Sequence, residues 1–267
     1  MKRNIMLVLF LAITIFTNSC STVPVTGRKQ LSIIPSSQLM ALSFQQYDQF
    51  LNENKVEKNS AQALRIKRIG GKIQKAVEQY FAEKNMSDHL NGYAWEFNLV
   101  NNDQVNAWAM PGGKVVFYTG ILPICKDDAG IATVMGHEIA HAIAEHGGER
   151  MSQGLLVQLG GMGLQAALEN EPELTQQLAM AAFGLGAQVG IMLPFSRLHE
   201  SEADHLGLIF MAMAGYNPNE SVSFWERMAA QKGGNAPPEF LSTHPSDETR
   251  IKDLKKLIPE AMQYYKK

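Results

Sequence analysis

The sequence predicts an α+β fold, mainly helical, with one small β-sheet. Three observations carry this. Helical periodicity recurs over long stretches, two short extended segments flank a Pro-Gly-Gly turn, and 45% of the 267 residues are apolar against 19% charged. This is ordinary globular composition, which excludes wholesale disorder, collagen and coiled coil. A chain of this length buries roughly three quarters of its unfolded surface, so its core needs neither disulfide nor metal. The net charge of −2 gives no electrostatic reason to expect nucleic acid. With only Cys20 and Cys125, the chain is no disulfide scaffold.

Each element has its own signal. Ser36 to Leu51 and Ser60 to Lys84 carry helical periodicity, the second with Leu64, Ile66, Ile69, Ile73, Ala76, Val77 and Tyr80 as an apolar stripe. Tyr93 to Val100 alternates and reads as a half-buried strand. Val105 to Met110 and Lys114 to Tyr118 flank Pro111-Gly112-Gly113 and predict a hairpin. Asp127 or Asp128 caps a helix to about Glu145, with Gly147-Gly148 as its stop. A helix from near Ser196 reaches Ala214 and ends at Gly215. Asn217 or Asn219 opens another to about Gln231, and Ser246 to Leu257 supplies the last, before Pro259. Residues 154–193 hold two apolar, glycine-broken runs around Glu169-Asn170-Glu171-Pro172-Glu173, each too short and broken for a membrane span. They predict a helical hairpin, either a mobile lid or a packed small-residue pair.

The first residues read as an address. Lys2 and Arg3 precede an apolar run from Ile5 to Phe16, the length of a signal h-region and too short to span a bilayer. The run ends at Ser19-Cys20. This pattern predicts a signal peptide over 1–19 with lipidation of Cys20, or else ordinary cleavage nearby. Residues 20–35, with two prolines and a glycine, then form a tether, and 36–267 form the folded domain. Cys125 is left as a buried thiol.

The chemistry concentrates in His137-Glu138-Ile139-Ala140-His141. Histidines at i and i+4 project from one helix face and converge on a single ion. Glu138 sits where it reaches a water at that ion without binding the metal. This is the zinc metalloprotease pattern, with Glu138 as general base. Apolar flanks such as Ile131, Met135 and Ile143 predict a buried helix, in which unpartnered imidazoles would be costly and a cation removes the cost. Catalytic zinc needs a third protein ligand. Glu200 and Asp204, four apart downstream, share a face; one binds while the other accepts the free N–H of a ligand histidine. Glu202 reads as a solvated charge, and His199 and His205 as structural. Ala203 and Gly207 are small enough to let this helix approach the motif helix closely.

His137-Glu138-Ile139-Ala140-His141 followed by Glu200-Ser201-Glu202-Ala203-Asp204 resembles the HtpX/BepA/LoiP group of zinc metallopeptidases, relatives of the CAAX prenyl protease. Thr243-His244-Pro245 with Arg250-Ile251, and Val25-Thr26-Gly27-Arg28, extend the resemblance over most of residues 23–251. It implies a gluzincin-type metalloprotease domain with the sheet beside the active-site helix. It further implies one Zn2+ on His137, His141 and Glu200, with Asp204 behind a ligand. His244 is then placed at the active site, either blocking the zinc or donating to the oxyanion. HtpX and the prenyl proteases carry transmembrane helices, and no such span is evident here after the leader. The implied protein is an endopeptidase acting on unfolded or misassembled envelope proteins, near envelope assembly machinery. It would face the periplasm, anchored through Cys20, with the outer membrane favoured. The rival is a zinc-bearing chaperone or assembly lipoprotein with little turnover. Val105 to Ala109 is a candidate edge strand for a peptide substrate, or a plain core strand.

Overall fold

The computed structural model describes residues 20–24, 26–231 and 246–265. The elements are β1 (Cys20–Thr22), β2 (Lys29–Leu31), α1 (Ser36–Glu53), β3 (Val56–Glu57), α2 (Ala61–Glu83), β4 (Glu96–Val100), β5 (Ala107–Met110) and β6 (Lys114–Tyr118). Then follow α3 (Leu122–Cys125), α4 (Asp128–Ile143), α5 (His146–Ala167), α6 (Glu173–Ala187), α7 (Leu193–Met213), α8 (Glu220–Gln231) and α9 (Asp247–Ala261). The α+β, mainly helical class stands.

The sheet runs in the order β3-β4-β6-β5. β4 and β6 are parallel, while β5 returns antiparallel to β6, forming the expected hairpin. The half-buried reading of β4 does not hold, because Phe97 to Val100 are all buried. Phe97, Leu99, Val115 and Phe117 join the main core, which also holds residues of α2, α4 and α7. Val100, Val116 and Tyr118 pack with Tyr47 of α1. The helix therefore covers the face that alternation assigned to solvent, and Asn98 on that face donates to the Tyr47 hydroxyl at 3.0 Å.

Ser60 caps α2 by accepting from the Ala63 N–H. Its stripe is buried except at Leu64, which is 55% exposed. Asp127 caps α4 through the Gly130 N–H at 2.9 Å. The glycine pair does not stop α4. The break falls at Glu145, in the left-handed region at φ 56°, and α5 begins at His146. Gly148 lies inside α5, where a Cβ would meet the Leu39 side chain at 2.5 Å. The last helix passes through Pro259 to Ala261, because a proline in the final turn removes only one hydrogen bond. Cys125 is a free, buried thiol, pushed up to about 12 by burial.

Residues 20–35 are not a loose tether. β1 and β2 pair antiparallel, Val23 is fully buried, and the Ile33 N–H donates to Ser152 at 3.1 Å. Residues 154–193 do form a helical hairpin. However, Glu173–Met213 is one continuous helical run of 41 residues, long and apolar enough by length and composition to cross a membrane, and the most apolar part is only 11% buried. The expectation of no such span after the leader is corrected accordingly. The two runs seemed short because the sequence reading ended the second at Leu193, whereas the helix continues through Pro194 at the start of α7.

The contact between α4 and α7 places the site. A Cβ on Gly136 would lie 2.7 Å from the Gly207 carbonyl oxygen, and one on Gly207 would lie 2.8 Å from the His137 nitrogen. Glycine at both positions lets the two backbones touch. The Gly207→Ala variant should lose about 1–3 kcal/mol, as overpacked cores do. Thermal melting checks this; a variant melting with wild type would show that the helices have slack.

Candidate metal centre

α4 carries His137, Glu138 and His141, and α7 carries Glu200 and Asp204. One ligand atom from each of His137, His141 and Glu200 lies within 4.8 Å of the others. The His141 Nε2 is 3.1 Å from His137 Nε2 and 3.3 Å from Glu200 Oε1. Asp204 Oδ1 lies 2.9 Å from His137 Nδ1, on the outer side of that ring. The structure thus settles the geometry that spacing left open: Glu200 faces both imidazoles, and Asp204 stands behind one.

These residues fit zinc. Two nitrogens and one carboxylate form a zinc donor set that leaves a fourth position. Burial, assisted by His137, holds the His141 imidazole down at about 3 against the pull of Glu200, so the ring is neutral and able to ligate. Without a cation, burial and Arg250 depress His137, but Asp204 and Glu200 outweigh them and lift it to about 9.

Glu138 is half-buried and lines a cleft of about 290 Å³ with His137, Glu200, Trp225, Arg250 and the β5 approach Val105, Asn106 and Ala107. Among the described strands β5 pairs with β6 alone, so it is an edge. His244 lies outside the described residues.

Four roles escaped the sequence reading. Arg250 donates to Asp204 at 2.6 and 2.8 Å and to Glu200 at 3.2 Å, with its guanidinium 3.4 Å over the Trp225 ring. Glu202 is buried, not solvated, and pairs with Arg28 and His146. His146 meets His141, and Glu149 meets both Arg28 and His199. A third histidine five residues after His141 was the available signal for His146. The charges left no pattern, because their partners lie far away in sequence. His199 is structural as expected, and His205 pairs with Glu260.

An α-helix offering two imidazoles and a carboxylate to a cleft, with a second helix supplying a buried carboxylate to the same point, defines a metallopeptidase-class site. The comparisons with known proteins agree. The model of peptidase family M48 matches residues 68–258, and the chain belongs to that family. It is 37% identical over 199 residues to mitochondrial metalloendopeptidase OMA1 of Saccharomyces cerevisiae, covering 72% of this chain and 55% of that one. It is 31% identical to metalloendopeptidase OMA1, mitochondrial, of Bos taurus, covering 90% and 46%. To the β-barrel assembly-enhancing protease of Escherichia coli it is 27% identical, covering 96% and 52%. The chain spans about half the length of these relatives.

The family expectation holds, but the bacterial lipoprotein branch does not follow from it. The expected localisation, facing the periplasm at the outer membrane, is corrected: matches to mitochondrial OMA1 proteins of fungi, a plant and cattle point away from it. These matches lend no support to the lipid anchor expected on Cys20.

Two predictions follow from the charges. Arg250→Ala should cost about 3–5 kcal/mol, because the buried carboxylates of Asp204 and Glu200 would lose the guanidinium that they share. Chemical denaturation measures the loss, and a cost below 1 kcal/mol would contradict the pairing. Glu149 is held at about 2, because His199 and Arg28 outweigh the burial that would raise it. A carboxylate depressed on folding contributes stability that is complete above its ordinary pKa of 4.5 and is lost as pH falls toward 2. Glu149→Gln should therefore melt below wild type at neutral pH, with the gap narrowing as the solution is acidified through that window. A gap independent of pH would count against the assignment.

Proposed function

We propose that this chain is a zinc-dependent endopeptidase, with His137, His141 and Glu200 as ligands, Glu138 as general base and Asp204 fixing His137. The observation that carries this is the convergence of the three ligand atoms, two of whose residues, His137 and Glu200, line the same cleft as Glu138. Zinc held by these residues would supply a Lewis acid for a carbonyl oxygen and would bring the pKa of a water to about 7. The Glu138 carboxylate is placed to accept a proton from a water in the cleft and to hand it to a leaving amine. Asp204 accepts the His137 Nδ1–H and so keeps Nε2 pointed at the cleft. Arg250 holds both carboxylates in place.

The substrate class is an extended polypeptide. The free edge of β5 offers backbone N–H and C=O groups to a peptide strand, giving affinity with little sequence preference. Val105, at the approach to that edge, is 46% exposed. Unfolded or misassembled protein chains suit such a cleft, and the name of the Escherichia coli relative, an assembly-enhancing protease, supports that class. The family resemblance gives His244 the role of blocking the fourth metal position or donating to the oxyanion, and the test below includes it.

The test is casein cleavage by the zinc-loaded chain beside Glu138→Gln, with His244→Ala included to relieve any block. Wild type should cleave, Glu138→Gln should lose at least about 100-fold in kcat while keeping its zinc, and a chelator should abolish activity. Equal rates in wild type and Glu138→Gln, or zinc-loaded His244→Ala without turnover, would instead favour a zinc-bearing chaperone.

A further inference from the structure

A run of buried and part-buried polar contacts leads from the outer nitrogen of His141 to the N-terminal hairpin. His141 Nδ1 lies 2.8 Å from His146 Nδ1, and His146 Nε2 lies 2.9 Å from Glu202 Oε2. Arg28 Nε donates to the same oxygen at 2.9 Å, and the Thr26 hydroxyl donates to Oε1. The terminal nitrogens of Arg28 donate to Glu149 at 3.1 and 2.8 Å. Glu149 also meets His199 Nε2 at 2.8 Å, and the His199 ring stacks on that of His146 with centroids 4.3 Å apart.

One assignment of hydrogens satisfies every contact. The inner Nε2 of His141 must be bare to serve a cation, so Nδ1 carries the hydrogen and donates to His146. His146 accepts at Nδ1 and therefore carries its own hydrogen on Nε2, which donates to Glu202. Glu202 is then an ionised carboxylate whose two oxygens face three donors. The donors from the hairpin are set by its turn. Gly27 stands at φ +70°, its N–H donates to the Val23 carbonyl at 3.0 Å, and Val23 is fully buried.

We infer that His146 and Glu202 are positioning residues of the metal centre, and that Thr26 and Arg28 hold them, so that the N-terminal hairpin is a working part of the site. The inference rests on the zinc reading above. Burying two carboxylates and two imidazoles against a part-buried guanidinium is a poor way to gain stability alone. A path that ends on the outer nitrogen of a ligand gives that burial a use, because an outer partner fixes the ring's tautomer and raises its basicity. Asp204 does this for His137, and His146 does it for His141.

The test is zinc affinity of the full chain, read by competition with a chromophoric chelator. His146→Ala should bind zinc roughly 10–100-fold more weakly. His146→Gln, whose amide oxygen accepts in the same place, should recover most of that loss, and Arg28→Ala should weaken binding although it touches no ligand. Lys29→Ala, on the exposed side of β2, should bind as wild type does. Wild-type affinity in His146→Ala overturns the inference and leaves the zinc reading intact, whereas a wild type that binds no zinc overturns both. Should the alanine variants fail to fold, hydrogen exchange of the wild type decides. Zinc should slow exchange of the backbone amides of residues 26–31, since coupling between two sites is reciprocal. Equal exchange with and without zinc overturns the inference.

Discussion

The site depends on two helix backbones touching. Without side chains at Gly136 and Gly207, α4 and α7 pack closely enough for Glu200 to face His137 and His141 across the gap. The same closeness removes water from two carboxylates, two imidazoles and the Arg250 guanidinium. Charges in that setting must be paired or must hold a cation. The surrounding fold supports this arrangement. The Asp127 cap starts α4 in register, α2 and the sheet close the core around it, and α9 delivers Arg250 to the carboxylates of α7.

Sequence periodicity was enough for what is local. The motif on α4, its burial, the hairpin of β5 and β6 and the small residues facing α4 were all legible, because each follows from spacing along a few turns or a few strand residues. What failed was decided by distant partners. Covering of the second sheet face by α1 buried residues that alternation assigned to water. Glu202 looked like a surface charge because Arg28 and Thr26, which receive it, lie over 170 residues earlier. Gly148 looked like a helix stop because its reason is Leu39, over a hundred residues upstream. Residues 20–35 read as a tether from their prolines, but their hydrogen bonds go to α5 and α7. The choice between Glu200 and Asp204 as ligand could not be read from an i, i+4 pair. The packing of α7 on α4 turns Glu200 toward both rings and Asp204 behind one.

Membership of peptidase family M48 and this geometry point to the same metallopeptidase class. Glu138, His137, Glu200 and the start of β5 border one cavity. The α5–α6 hairpin stands apart from that cleft, with Leu159, Met162, Leu174, Leu178 and Leu185 all more than half exposed. Its residues belong to a different surface, whereas the N-terminal hairpin is bound into the ligand network.

X-ray absorption at the zinc edge of the metal-loaded chain addresses the central claim most directly. Two imidazole nitrogens and carboxylate oxygen at about 2.0–2.2 Å are expected, with the oxygen signal reduced in Glu200→Ala. A shell unchanged by Glu200→Ala, or one containing sulfur, would contradict the account.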